Sequence, residues 1–133
     1  MPPNESTENS STALDAGRPY VAPVRFAIRS GGCVLLMESS EVIAVEARGR
    51  YVLVRTSSRS QSARESVSTL DEKLKPYGFV RIHRSTIVNG ALVEEIQILK
   101  SGEMRVRVKG TDKEYCVSRR YKSEVSRFAP TWV

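Results

Sequence analysis

The sequence predicts a mainly β chain of antiparallel hairpins with two short helices. Three observations carry this. Apolar, β-branched runs follow one another with short glycine-containing turns between several of them. Residues 103–109 alternate strictly between apolar and basic side chains, the signature of a half-buried strand. Only two stretches show apolar residues at helical spacing, too few helices for a βαβ architecture.

The elements follow in order. Phe26 and Ile28 alternate with Ala27 and Arg29, and Gly31-Gly32 turns the chain. Cys33-Val34-Leu35-Leu36-Met37 has the length and apolarity of a buried strand. Val42 to Ala47 and Tyr51 to Thr56 form a hairpin joined by Arg48-Gly49-Arg50. The polar stretch from Ser57 to Arg64 is expected to be a surface loop. Val67, Leu70 and Leu74 then share one helical face, with Ser66 or Ser68 as N-cap and Pro76 as the stop. Ala91 to Leu99 reads as a strand closed by Lys100-Ser101-Gly102. In the next strand Met104, Val106 and Val108 face inward, and Arg105, Arg107 and Lys109 face out. The turn Gly110 to Lys113 leads into Glu114-Tyr115-Cys116-Val117. A last helix is expected from Ser118 as N-cap to Phe128, with Tyr121, Val125 and Phe128 on the docking face.

Composition narrows the function. The chain has 133 residues and a formal net charge of +6. Residues 1–23 carry Glu5, Glu8 and Asp15 against Arg18, a net of −2, so the remainder carries +8. That leader is polar and is expected to be disordered, with one folded domain over residues 24–130. A basic domain points toward nucleic acid or an anionic surface. No apolar run is long enough to span a membrane, and the first residues do not form a signal peptide. The cytoplasm is the expected location. Cys33 and Cys116 are expected to be partly buried free thiols. With His83 the only histidine, there is no recognisable metal spacing, and no metal or other cofactor is expected.

Two segments break local rules. Arg119-Arg120 opens the last helix, where cations oppose the helix dipole. Such a break is characteristic of a functional site, although two arginines pointing into solvent would read the same way. The second segment is Phe79 to Gly90. Apolar Phe79, Ile82, Ile87 and Val88 anchor it, and His83-Arg84-Ser85 interrupts them. Arg84 in a rigid bend can present its fork to guanine or phosphate. His83 could instead be a wedge bonded to a backbone carbonyl, and Asn89 a turn residue; both readings stand open.

Phe79-Val80-Arg81-Ile82-His83-Arg84-Ser85 with Val88-Asn89, then Val117-Ser118-Arg119-Arg120-Tyr121, resembles the LytTR DNA-binding domain. The earlier Val45-Glu46-Ala47 with Gly49-Arg50-Tyr51-Val52 resembles it too, so the likeness runs from about residue 24 to 128. The resemblance implies an elongated arrangement of small antiparallel sheets and a role in bacterial transcription regulation. It implies that loops between strands, rather than a recognition helix, enter successive major grooves of double-stranded DNA. The residues so implicated are Arg50, Tyr51, His83, Arg84, Ser85, Asn89, Arg119 and Arg120. Many members carry a receiver domain or membrane segment at the N-terminal side. The short polar leader is expected to replace it, making a stand-alone regulator.

The expected function is therefore a sequence-specific DNA-binding transcriptional regulator, with two copies on adjacent sites of one DNA face if two bind. The alternative is a protein-interaction module of the same fold that sequesters or docks a partner regulator. An RNA-binding β domain would want aromatics exposed on a sheet face, and the tyrosines and phenylalanines read as core or loop. An enzyme is the poorest match: there are no paired carboxylates in a shared motif and no glycine-rich phosphate loop.

Overall fold

The computed structural model describes residues 25–128; the expected leader, 1–23, lies outside them. Among the described residues ten strands form three antiparallel sheets. The first is the hairpin β1 (Arg25–Ser30) and β2 (Cys33–Glu38). The central sheet has five strands: β3 (Val42–Arg48), β4 (Tyr51–Thr56), β5 (Ser60–Ala63), β6 (Phe79–His83) and β7 (Thr86–Asn89), in the order β5-β4-β3-β7-β6. The last joins β8 (Val93–Ile98), β9 (Met104–Val108) and β10 (Glu114–Val117), in the order β10-β9-β8. Two helices complete it, α1 (Val67–Leu74) and α2 (Lys122–Phe128). The expected mainly β class, with small antiparallel sheets and two short helices, is what the chain adopts.

The central sheet is covered on both faces, which explains the run of five buried residues from Val42 to Glu46 in β3. Its two faces enter two cores, and a bulge between Val42 and Ala44 puts the adjacent Ile43 and Ala44 into the same one. Val42, Val45, Val54 and Ile87 pack with Phe26, Ile28 and the α1 face of Val67, Leu70 and Leu74. Ile43, Ala44, Ile82 and Val88 pack with Met104, Val106 and Val108 of β9, Tyr115 and Val117 of β10, and Val125 of α2. Each fully buried Leu, Ile or Val contributes roughly 1.5–3 kcal/mol relative to exposure. The inward set predicted for β9 is the buried set. Ser66, not Ser68, caps α1, its Oγ accepting from Thr69 N–H at 3.0 Å. The side chain of Phe128, expected on the docking face of α2, lies outside the described set, while Val125 of that face is buried.

Several expectations are corrected. Part of the polar stretch 57–64 is a strand: β5 pairs with β4 from Val52↔Ala63 to Arg55↔Ser60. An edge strand needs only one ladder and one covered face, so small polar residues suffice if one side chain, here Ala63, enters the core. β2 is not a buried strand. A two-stranded sheet has nothing on its outer face, and Val34 and Leu36 are 62% and 61% exposed. Both cysteines are exposed rather than partly buried. The strand expected from Ala91 starts at Val93, after a 3-10 turn at Gly90–Leu92. The last helix also starts later. Arg119–Tyr121 form a 3-10 turn, Ser118 makes no side-chain cap, and α2 begins at Lys122. The dipole conflict read from Arg119-Arg120 is correspondingly smaller, because a single 3-10 turn leading into seven helical residues sums few peptide dipoles.

Candidate nucleic-acid interface

The register of the central sheet brings two hairpin tips together. β3 pairs with β7 through Glu46↔Thr86, and Ala47 N–H donates to Ser85 O at 2.8 Å. The β3–β4 tip and the β6–β7 tip therefore lie side by side at one end of the sheet. The third segment joins them through β6: Ser118 N–H donates to Ile82 O at 2.9 Å. That carbonyl is available because the β6–β7 register shifts between Arg81 and His83, and a bulge takes the residue between them out of the ladder.

The first tip holds its own shape. Arg48 pairs with Tyr51, and Gly49, at φ +61°, is the first central residue of the two-residue turn. A hairpin turn with positive φ at that position suits the strand twist, and glycine takes it without steric cost. Arg50 is exposed and Tyr51 is 50% exposed. The second tip, Arg84-Ser85 between His83 and Thr86, has no residue at positive φ. Side chains shape it instead. His83 Nδ1 accepts from Ser85 N–H at 3.2 Å and lies 2.8 Å from Ser85 Oγ. An accepting Nδ1 leaves the ring proton on Nε2. Arg84 projects from this turn exposed, while His83 and Ser85 are half-buried beneath it. In the third segment Arg119 and Arg120 are both exposed, and the Arg120 guanidinium lies 6.0 Å from the Tyr121 ring centre.

Asn89 does not join this group. It sits at the far end of β7, paired with Phe79, and is 3% exposed. Its Nδ2 donates to Val42 O at 2.9 Å and Ser39 O at 3.2 Å, and its Oδ1 accepts from Ala91 N–H at 3.1 Å. It bonds three backbone groups and is buried, away from the loop end of the sheet. The structural alternative open for Asn89 on the sequence is the one its surroundings fit. His83 likewise bonds within its own turn, although to an N–H donor and not to a carbonyl.

Sequence reasoning missed Glu46, just behind the first tip and 5% exposed. Its Oε1 accepts from Lys113 Nζ at 2.7 Å and Arg48 Nη2 at 3.2 Å; its Oε2 accepts from Arg55 Nε and Tyr115 Oη, each at 2.9 Å. Burial pushes the carboxyl pKa up, but the hydrogen bonds from Lys113, Arg55 and Tyr115 outweigh that and hold it at about 2. Burial, reinforced by the Glu46 charge, pushes the Tyr115 hydroxyl well above its ordinary value. The available signal was a lone carboxylate in the apolar run Val42 to Ala47. A charge on a strand covered on both faces must be paired.

The basic face of β9 is organised differently. Arg105 lies 3.3 Å from Glu103 and 3.7 Å from Glu114; Arg107 lies 3.7 Å from Glu95 and 4.0 Å from Glu94. Lys122 is also engaged, on the carbonyl of Gly102. By contrast Arg50, Arg84 and Arg119 have no ion pair among the described residues. Arg50, Arg84 and Arg119 at the sheet end are thus uncommitted, whereas Arg105 and Arg107 on the β9 face are matched.

The family model for the LytTr DNA-binding domain matches residues 32–129. The chain belongs to the LytTR DNA-binding domain family. That family is a DNA-binding fold, not an enzyme family, and its regulators act in transcription. Sensory transduction protein LytT of Bacillus subtilis (strain 168) is 25% identical over 103 residues, 77% of this chain and 42% of that protein. The chain thus spans less than half the length of that relative. The solved LytTr DNA-binding domain from Bacillus cereus superposes with a TM-score of 0.68 at 19% identity, covering 79% of this chain and 95% of that one. The LytTR fold is shared with it. No helix among the described residues is long and apolar enough to cross a membrane.

Proposed function

We propose that this LytTR domain binds double-stranded DNA sequence-specifically through the three loop segments at one end of its central sheet. Arg84 and Arg119 read base edges, and Arg50 with Tyr51 occupies a flanking groove. Arg120 contacts phosphate. Each loop enters a major groove in turn, and the whole acts as a transcriptional regulator. The observation that carries this reading is the convergence of three exposed, unpaired arginines on one edge, while Arg105 and Arg107 of the other basic face are paired with carboxylates. A bidentate arginine on guanine is worth about 1–3 kcal/mol of discrimination, enough for a few such contacts to select a site. His83 and Ser85 shape the turn and reach DNA only through its backbone.

Selection of bound sequences from random duplex DNA tests the reading. A short enriched motif is expected, repeated if two copies sit on adjacent sites. Recovery of no motif would reject sequence-specific binding.

Salt dependence separates the two basic faces. Each phosphate contact lowers the slope of log K against log salt by about 0.9. Arg107→Ala is expected to leave that slope unchanged, because Glu94 and Glu95 already neutralise the guanidinium. Arg120→Ala is expected to flatten it by about one unit. Titrations at several salt concentrations measure both, and a flattened slope for Arg107→Ala would put the β9 face on the DNA.

A further inference from the structure

Arg81 was not among the residues the sequence singled out, yet its guanidinium touches both the second and the third loop. Nε donates to His83 O at 3.3 Å, Nη2 to Arg84 O at 2.6 Å, and Nη1 to Ser68 Oγ on α1 at 3.3 Å. The same group lies 5.5 Å from the centre of the Tyr121 ring, in the turn that carries Arg119 and Arg120. The turn it grips needs outside support. Two-residue hairpin loops favour conformations with positive φ, and neither Arg84 nor Ser85 adopts one. The bulge behind the turn adds a further departure from a regular ladder.

We propose that Arg81 is a positioning residue: its planar fork fixes the Arg84 turn and sets it against the Arg119–Tyr121 turn, so that two base-reading arginines are held in one geometry. Arg81 is half-buried and its three guanidinium nitrogens are occupied, so it acts through the loops and not by touching DNA. Lysine cannot replace it. An ammonium carries the same charge but cannot span two carbonyls and a hydroxyl while stacking on a ring. This inference rests on the DNA-binding reading above.

The test compares wild type, Arg81→Lys, Arg84→Ala and the double variant on the selected duplex and on a scrambled one, at one salt concentration. Arg81→Lys is expected to reduce the preference for the selected duplex roughly tenfold, about the worth of one bidentate contact, with affinity for the scrambled duplex unchanged. In the Arg84→Ala background the same substitution should cost clearly less, because part of its effect runs through Arg84. A purely structural role would lower affinity for both duplexes alike, or cost as much without Arg84 as with it, and either result overturns the proposal. A wild-type chain with no preference between duplexes overturns the underlying DNA reading and this inference with it. If Arg81→Lys melts at the working temperature, Ser68→Ala serves. It sits at an exposed position of α1, frees Nη1, and should reduce the preference about twofold; no change there also counts against the proposal.

Discussion

Glu46→Ala is expected to cost about 3 kcal/mol of folding stability, measured by urea denaturation. The buried Tyr115 hydroxyl loses its acceptor, and Arg48, Arg55 and Lys113 are left facing one another without a counter-charge. Breaking a buried ion pair by removing one partner typically costs about 3–5 kcal/mol. The lower end applies here because the three cations keep partial access to water. The pH dependence gives a second route to the same number. The Glu46 carboxyl is held at about 2 against an ordinary 4.5. The unfolded chain therefore takes up this proton first as pH falls. The stabilisation is complete above about pH 4.5 and is lost as pH falls toward 2, a span worth about 3 kcal/mol at roughly 1.4 kcal/mol per unit. Glu65 acts in the same direction. Burial works against its charged form, but the hydrogen bonds from Lys73 and the Arg29 N–H lower its pKa. Acid unfolding of wild type should be steep in that window and shallower in Glu46→Ala. A loss under about 1 kcal/mol, with an unchanged acid limb, would show that the network is merely a solvated ion cluster.

Arg84→Ala and Arg119→Ala are each expected to weaken binding to the selected duplex by roughly 1–3 kcal/mol, and to relax specificity at one base position each. Both side chains are exposed, lack an ion pair among the described residues, and stand on turns tied to the core through β6. The fold should tolerate both changes, because neither side chain is buried. Equilibrium titrations on selected and scrambled duplexes measure the effect. Equal loss on both would assign the arginines to phosphate rather than to bases.

Much of this arrangement was legible in the sequence where one physical rule dominated. The β3–β4 hairpin announced itself through β-branched runs around a glycine turn, and β9 through strict alternation. The α1 face followed from the spacing of Val67, Leu70 and Leu74. Where tertiary context decided, the sequence was silent or misleading. β5 has no strand propensity and exists because β4 offers it a ladder. β2 looks like a core strand, but no third layer covers it. In the candidate site the Arg84 turn stood out because polar residues interrupted core anchors, and the Arg119 turn because two cations opened an expected helix. Asn89 stood beside them in the motif, and only the fold reveals that it faces inward to hold the 3-10 turn at Ser39–Glu41 and the turn at Gly90–Leu92. Arg81 and Glu46 were hidden for the opposite reason. Each has partners on elements distant in sequence, Ser68 for Arg81 and Lys113 and Tyr115 for Glu46, which no local pattern identifies.

The central claim is that the loop end of the central sheet, and not the basic face of β9, meets DNA. Backbone amide shifts recorded by NMR while the selected duplex is added to the full chain test it most directly. The account predicts the largest shifts at residues 48–51, 83–86 and 118–121, with 104–108 almost unmoved. Shifts centred on β8, β9 and β10, with the three loops unaffected, would contradict it.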